Sequence, residues 1–248
     1  MSWVDAIWPV LVALALTLIP GALIGYSLGF RRITLMGLAP VFSLTVIGLT
    51  PIALGAAHIR WGILPVVIAT LILTAVGFLL RRALSRWMGP TLAAKDRGMT
   101  RWAAAGVVVA ALAIGARMVA MIGVPSNISQ TYDNVFHLNT IRYILDSGIA
   151  SSLSLSGFPP SGLERAGFYP AGWHDLTSLV AQVSGASIPV SVSAVTLVIG
   201  AVLWPLGFVF LVRTIAGARR FTLVASGIIA AGMAGFPYLM MDFGVLYP

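Results

Sequence analysis

The sequence predicts an all-α, polytopic membrane protein with about six spanning helices. Three observations predict this fold class: hydrophobic residues make up 59% of the 248-residue chain, charged residues make up only 9%, and the mean hydropathy is +0.99. Soluble domains carry about 25% charged residues. A soluble fold of this size could not cover its surface with so few charges, whereas lipid can replace the missing polar surface.

Six apolar segments are long enough to cross a bilayer, which takes about 20 helical residues. Four of them lie in residues 1–124 and two in residues 188–248, on either side of a less hydrophobic region at 125–187. The first segment lacks the basic n-region and the cleavage site of a secretory signal, so we expect it to be retained. The predicted spans run from about Ile7 to Phe30, Ile33 to Ala57, Gly62 to Leu80, Trp102 to Val124, Ile188 to Val212 and Phe221 to Met241.

The arginines predict the orientation of these helices. Arg31 and Arg32, the basic loop at 81–101 and the segment from Arg213 to Arg220 share one side of the membrane if the N-terminus lies outside. The positive-inside rule places that side in the cytoplasm. We therefore expect a multi-pass protein of the plasma membrane whose N-terminus and 125–187 region are extracytoplasmic.

Composition also excludes several classes of function. The net charge of +8 is explained by arginines at helix ends, and no basic stripe interleaved with aromatic residues is present, so we reject nucleic acid as a partner. The chain has no cysteine, which excludes disulfides, thiolate zinc sites and a cysteine nucleophile.

The 125–187 region contains two predicted interfacial helices. From Asp133 to Asp146 the apolar residues recur at helical spacing, and Gly148 is a natural stop. A loop rich in Ser, Gly and Pro follows at 150–167. A second helix is predicted to start at Tyr169 and Pro170, with proline at the first helical position, and to end at Gly185. Both helices are suited to lie in the membrane interface. The 125–187 region is therefore predicted to be a large loop that contains two amphipathic helices.

The order of these elements resembles the first large extracytoplasmic loop of the GT-C superfamily of glycosyltransferases, multi-span enzymes that use polyprenyl-phosphate-linked sugars. More narrowly, the chain is similar to uncharacterised actinobacterial membrane proteins thought to belong to this superfamily. The matching pieces are Asp133 to His137, Arg142 to Gly148, Phe168 to Pro170 with Trp173 and His174, and Gly185.

The sequence departs from the family pattern in three respects. Asn134 follows Asp133, where many members carry a second acid. Four predicted spans precede the loop, where many members have one. Members are usually much longer, so we expect the chain to be incomplete at its C-terminus.

The resemblance implies transfer of a sugar from a polyprenyl-phosphate donor to a cell-envelope glycan or lipid acceptor, in cell-wall biogenesis. Asp133 matches the acid that takes the proton of the acceptor hydroxyl in this inverting reaction, as general base. Taken alone, Asp133 is better explained as a helix cap or an ordinary loop acid, and it is the resemblance that favours catalysis.

Six further residues are candidate substrate contacts. His137 could orient the acceptor, and Arg142 could bind the leaving phosphate, although an i, i+4 pair with Asp146 explains Arg142 better. The other four candidates are Tyr169, Trp173, His174 and Asp175.

A divalent cation is the one cofactor that these residues suggest. Asp133, His137, His174 and Asp175 together would be an acceptable ligand set. Their spacing matches no strong metal motif, however, and helix capping with contacts to the acceptor is the favoured alternative.

Two other functions remain open. A transporter or flippase for lipid-linked envelope precursors would use a lipid groove and the arginines, including Arg117 inside the fourth span. Such a protein should tolerate loss of Asp133 better than loss of its intramembrane polar groups. A non-catalytic membrane scaffold subunit is the third hypothesis, and membrane lipids are partners in all three.

Overall fold

The computed structural model describes residues 2–85, 98–155 and 167–245, which form helices and connecting segments with no strand. Six helices are long and apolar enough to cross a membrane, which confirms the predicted fold class and a multi-pass membrane protein. Arg86, Lys95 and Arg97, which belong to the basic loop at 81–101, lie outside the described residues. The spans are Ile7–Ser27, Arg32–Ala56, Ile63–Leu84, Thr100–Ile122, Ile188–Ala216 and Arg220–Leu239.

Nine α-helices follow one another in the described part of the chain. A π-helical turn, Ile199–Leu203, joins the seventh to the eighth, and a π-helical segment, Ala234–Val245, follows the ninth. The α-helices are α1 (Ile7–Ser27), α2 (Arg32–Ala56), α3 (Ile63–Leu84), α4 (Thr100–Ile122), α5 (Asp133–Ser147), α6 (Gly172–Ser184), α7 (Ile188–Val198), α8 (Trp204–Ala216) and α9 (Arg220–Gly232).

Small residues allow the spanning helices to pack closely. The most extensive contacts join α1 to α2 and α4 to α9. A methyl group added to Gly227 of α9 would overlap the backbone carbonyl of Gly106 in α4. In the first pair, the backbone N–H of Gly21 donates a hydrogen bond to Oγ of Ser43, 2.8 Å away. Such close backbone approach drives helix association in membranes, where burial of apolar surface between helices gains little.

The helix α5 has the amphipathic form that the sequence predicts. It starts at Asp133, and Ile141 and Ile144 on its apolar face are fully buried. Gly148 ends the helix with a φ of +73°, a left-handed conformation that glycine adopts without steric cost. Arg142 and Asp146 lie on the exposed face.

The helix α6 begins later in the chain and is more deeply buried than the sequence predicts. It begins at Gly172, so Pro170 is not the first helical residue; the backbone N–H of Tyr169 donates to the carbonyl of Ser152 instead. Eight consecutive residues, from His174 to Ala181, are buried. A helix on a membrane surface keeps one face in water. Contacts with α1, α2, α5 and α7 enclose α6 instead.

Both short helices sit at the same end of the bundle as the connection from α2 to α3. The backbone N–H of Trp61, in that connection, donates to the carbonyl of Gly148 at the end of α5, 2.9 Å away. Trp3, before α1, donates through Nε1 to the carbonyl of Gly123 at the end of α4, 2.7 Å away. Because α1 and α3 span the bundle, the basic residues Arg31 and Arg81 lie at the opposite end.

Candidate functional site

The first turns of α5 and α6 bring two histidines into contact. Nδ1 of His137 lies 2.9 Å from Nε2 of His174, which is hydrogen-bond distance. Asp133 precedes His137 by four residues on α5, so both side chains lie on the same face of that helix. The structure therefore brings His137 and His174 together and places Asp133 one turn away; the predicted residues Tyr169 and Trp173 pack against the same histidines.

Aromatic rings surround the two imidazoles. The ring centre of Trp173 lies 5.7 Å from that of His137 and 5.1 Å from that of His174. The Tyr169 ring lies 5.5 Å from His174 and 5.0 Å from Phe136, at a steep interplanar angle. Edge-to-face contacts of this kind fix ring orientations. We call Phe136, His137, Tyr169, Trp173 and His174 the histidine–aromatic cluster.

Both histidines of the cluster are neutral at pH 7. Burial lowers the pKa of His174 to about 4, with a further contribution from neighbouring His137. Burial also lowers the pKa of His137, against the opposing effect of the Asp133 charge. Burial and, to a lesser extent, the same carboxylate raise the pKa of Tyr169. The Asp133 charge therefore acts on two members of the cluster.

Asp175 is separated from this cluster although it follows His174 in the sequence. Its side chain is 0% exposed, and no described residue forms a hydrogen bond with either carboxyl oxygen. Burial raises its pKa to about 9, so the carboxyl is protonated at pH 7. Successive helical residues point about 100° apart. Asp175 therefore faces the protein interior as a neutral acid.

Arg142 lies on the exposed face of α5 in an ion pair. Its Nε donates to Oδ2 of Asp146 at 2.8 Å, and the two side chains are 67% and 59% exposed. It lies nine positions after Asp133, about 13 Å along the helix. The structure shows the alternative contact predicted for Arg142 and does not place it beside Asp133.

The described residues contain no group of three or more His, Cys, Asp or Glu side chains placed to hold a metal ion. His137 and His174 turn nitrogens toward each other at 2.9 Å, which is hydrogen-bond distance. Asp175 points away and is protonated. A divalent cation held by Asp133, His137, His174 and Asp175 stays a prediction.

A pocket of about 310 Å³ lies at the other end of α5 and was not predicted. His58 and Arg60 line it, and Nη2 of Arg60 donates to the carbonyl of Asp146 at 3.2 Å. The available signal was charge: Arg60 occupies a short loop on the predicted outer side, against the positive-inside trend. Phe136 of the cluster was also missed, because its apolar side chain resembles any buried helix residue. Two further charged residues of the 125–187 region, Glu164 and Arg165, lie outside the described residues.

An apolar groove of about 200 Å³ runs between α1 and α3. Leu16 and Val66 line it and also belong to the buried core against which Tyr169 and Trp173 pack. The groove therefore shares a wall with the core beneath the histidine–aromatic cluster.

Comparison with known proteins identifies a family but not an activity. No curated protein and no solved structure matches the chain. One family model, described as a family of unknown function, DUF6541, matches residues 14–248 and so includes α5, α6 and the histidine–aromatic cluster. Because this match extends over most of the sequence, the chain belongs to the DUF6541 family.

Proposed function

We propose that this protein is an integral membrane glycosyltransferase of the GT-C type. It would move a sugar from a polyprenyl-phosphate donor to a cell-envelope glycan or lipid acceptor. The observation that carries the proposal is the placement of Asp133, an exposed carboxylate at the first residue of α5, one turn before His137, which in turn contacts His174. No described residue forms a hydrogen bond or ion pair with the side-chain carboxylate of Asp133, so it is available to accept a proton.

The reaction is an inverting displacement at the anomeric carbon of the donor sugar. The oxygen of the acceptor hydroxyl forms a bond to that carbon while the bond from the carbon to the phosphate oxygen breaks. The polyprenyl phosphate leaves with the bonding electron pair, and Asp133 takes the proton of the attacking hydroxyl. Attack and departure on opposite faces of the sugar invert its configuration.

The cluster supports sugar binding at this position. Tyr169 and Trp173 are half-buried, so each keeps part of a ring accessible. Aromatic rings of this kind pack against the apolar face of a sugar while polar neighbours bond its hydroxyls. His137 supplies such a polar neighbour, and His174 holds it from behind.

The groove between α1 and α3 supports a lipid-linked donor. Its lining is apolar side chains with Thr70, whose hydroxyl donates to the Val66 carbonyl at 2.7 Å and so presents no free donor to a ligand. A polyprenyl tail is entirely apolar and suits such a surface. The phosphate would then lie near the end of the bundle that holds α5 and α6.

Under this proposal the protein lies in the plasma membrane, and α5 and α6 lie on its extracytoplasmic side. The basic residues Arg31 and Arg81 lie at the opposite end of the bundle, and basic helix ends face the cytoplasm. Polyprenyl-phosphate sugars would therefore be used on the outer surface.

A flippase for lipid-linked envelope precursors is the second candidate, and one observation favours it. The guanidinium of Arg117, inside the span α4, lies 4.1 Å from the ring centre of Tyr238. A cation at this depth is costly and commonly functional. Substitution Arg117→Gln should reduce lipid translocation in that case, with Asp133→Asn having little effect.

Sugar transfer in membranes that contain the protein tests the proposal. A panel of polyprenyl-phosphate sugars is supplied to wild type, Asp133→Asn and Asp146→Asn at matched protein levels. Loss of a general base reduces rate by roughly 10²–10⁴-fold, so we expect that loss in Asp133→Asn. Asp146 is an exposed acid of the same helix and serves as control, with transfer expected near wild type. Equal transfer by Asp133→Asn would remove it as the base, and absence of transfer from every donor would contradict the proposed activity.

A further inference from the structure

We propose that the pocket of about 310 Å³ at the end of α5 binds the phosphate group of a membrane lipid. We call it the Arg60 pocket, and its polar lining includes His58, Arg60, Ser147, Ser151 and Ser154. The proposal does not rest on glycosyltransferase activity, because it follows from the position, charge and hydrogen-bonding capacity of these residues.

The Arg60 pocket lies at the level of lipid headgroups. Two membrane spans meet beside it, since α2 ends at Ala56 and α3 starts at Ile63. The short connection between them, residues 57–62, therefore lies at the membrane boundary, where the polar headgroups are. His58 and Arg60 belong to this connection, and both are exposed.

The side chain of Arg60 is held against the end of α5. The backbone N–H of Trp61 donates to the carbonyl of Gly148 at 2.9 Å, and Nη2 of Arg60 donates to the carbonyl of Asp146 at 3.2 Å. A methyl group added to Gly148 would lie 2.8 Å from Nε of Arg60, so the glycine allows this close approach. A cation that is fixed before its ligand arrives loses less conformational freedom on binding.

The fixed guanidinium has unused donors and no acid beside it. It carries five N–H donors, one of which meets the Asp146 carbonyl. No described residue forms an ion pair with Arg60, and no described lining residue is Asp or Glu. The Asp146 carboxylate is paired with Arg142 at 2.8 Å. The pocket therefore has a positive charge that an anion can neutralise, and the planar guanidinium suits the oxygens of a phosphate group.

Hydroxyl and imidazole groups add further donors to the same pocket. Oγ of Ser151 accepts a hydrogen bond from the backbone N–H of Leu153 at 3.3 Å, and no described group accepts the hydrogen of this hydroxyl. Ser151 is buried and lines the pocket, so an oxygen of a bound ligand would satisfy that hydrogen. His58 supplies a ring N–H in either tautomer. Several donors thus accompany the one cation, as a phosphate with several acceptor oxygens requires.

The apolar part of the lining favours a lipid over a free anion. Pro51 and Leu54 come from the last turns of α2, and Ile59 and Ile149 are 53% and 42% exposed. A free phosphate ion gains nothing from exposed apolar side chains, whereas the glycerol and first methylenes of a lipid can cover them. The pocket therefore combines cationic and apolar surface in the way that a phospholipid combines its phosphate with its chains.

This phosphate is not the leaving group of the proposed reaction. The helix α5 has 15 residues, so its last residue lies about 21 Å from Asp133. The bond that breaks in sugar transfer must lie beside the attacking hydroxyl, and hence beside Asp133. The Arg60 pocket would hold a different lipid, which joins the ends of α2, α3 and α5.

Thermal unfolding of the full chain in detergent tests the site. The probes are short-chain phosphatidylglycerol, inorganic phosphate, and a diacylglycerol that has the same chains but no phosphate. A ligand that binds the folded state raises the melting temperature saturably. We expect this rise with phosphatidylglycerol and little or none with the other two. An equal rise with diacylglycerol would overturn recognition of the phosphate, and an equal rise with inorganic phosphate would overturn the lipid as its source.

Substitutions within and outside the pocket locate the binding. Arg60→Gln should weaken phosphatidylglycerol binding by about tenfold or more, because a charge-assisted contact is lost. Arg142→Gln removes the same charge from outside the pocket, and binding should stay as in wild type. Each melting temperature is compared with that of the same variant without lipid, because Arg60 also contacts the end of α5.

A second variant keeps the test available if Arg60→Gln does not fold. Ser154 is exposed and lines the pocket, so Ser154→Trp should fill the pocket while Arg60 remains in place. We expect this variant also to lose the rise with phosphatidylglycerol. Binding as in wild type in either Arg60→Gln or Ser154→Trp would overturn the proposal.

Discussion

The helices α5 and α6 are neighbours of similar length, with 15 and 13 residues, yet they are buried to different extents. Asp133 and Arg142 of α5 are both exposed, whereas α6 has eight consecutive buried residues. The histidine–aromatic cluster forms where the two meet. Under the proposed function, α5 supplies the exposed carboxylate that meets the acceptor, and α6 supplies the buried His174 that contacts His137.

The largest expected loss of stability comes from a substitution that creates a cavity beside the buried helix α6. Leu179 of α6 is fully buried, whereas Val135 of α5 is 62% exposed. Leu179→Ala should destabilise the protein by about 2–5 kcal/mol, and Val135→Ala by under about 0.5 kcal/mol. Thermal unfolding in detergent measures both. Similar losses at the two positions would contradict the difference in burial.

The next largest change in stability is expected at Asp175, the neutral acid of α6, and it depends on pH. The pKa of Asp175 is raised to about 9, so between its unfolded value near 4 and pH 9 the folded state binds more protons than the unfolded state. Stability at this site therefore falls as pH rises. Asp175→Asn removes the ionisation, and we expect it to raise the melting temperature at pH 8 more than at pH 5. A lower melting temperature at pH 8 would show that the carboxyl has a stabilising partner.

The opposite pH dependence is expected for His174. Its pKa is lowered to about 4, so between that value and its unfolded value near 6.5 the unfolded state binds more protons. Stability is lost as pH falls through this window. His174→Gln should flatten the loss between pH 6.5 and 4, measured by thermal unfolding, while the exposed control His58→Gln should leave it unchanged. An equally steep loss in His174→Gln would place its cause elsewhere.

The smallest effect belongs to the exposed pair on α5. Arg142 and Asp146 are more than half exposed, and exposed ion pairs contribute about 0–1 kcal/mol. Arg142→Ala should therefore shift the melting temperature slightly, and added salt should remove the difference. A large shift that persists in salt would indicate a contact beyond Asp146.

The sequence predicts the two helices unequally, and the reason is physical. Spans follow from local hydropathy, and α5 follows from the 3.6-residue spacing of Ile141 and Ile144 with a glycine stop. The segment before α6 is held by a distant contact. The backbone N–H of Tyr169 donates a hydrogen bond to the carbonyl of Ser152, 17 residues earlier in the chain. No local pattern contains that contact.

The candidate site was predictable as residue types but not as an arrangement. Asp133 and His137 are one helical turn apart, so their common face follows from the sequence. His174 reaches His137 across 37 residues through the packing of two helices, which is a tertiary outcome. The burial of Asp175 has the same origin, and for this reason the sequence could not separate it from the cluster.

Replacing one acid on each helix by its amide tests most directly the claim that Asp133 of α5 takes the proton and that α6 has a supporting role. Transfer rates of Asp133→Asn and Asp175→Asn are compared with wild type at matched levels of folded protein in membranes. Asp175 is already protonated at pH 7, since burial raises its pKa to about 9, so an amide in its place should leave transfer near wild type. Asp133→Asn should lose roughly a hundredfold or more. Loss of transfer in Asp175→Asn, with Asp133→Asn unaffected, would contradict the division of roles between the exposed and the buried helix.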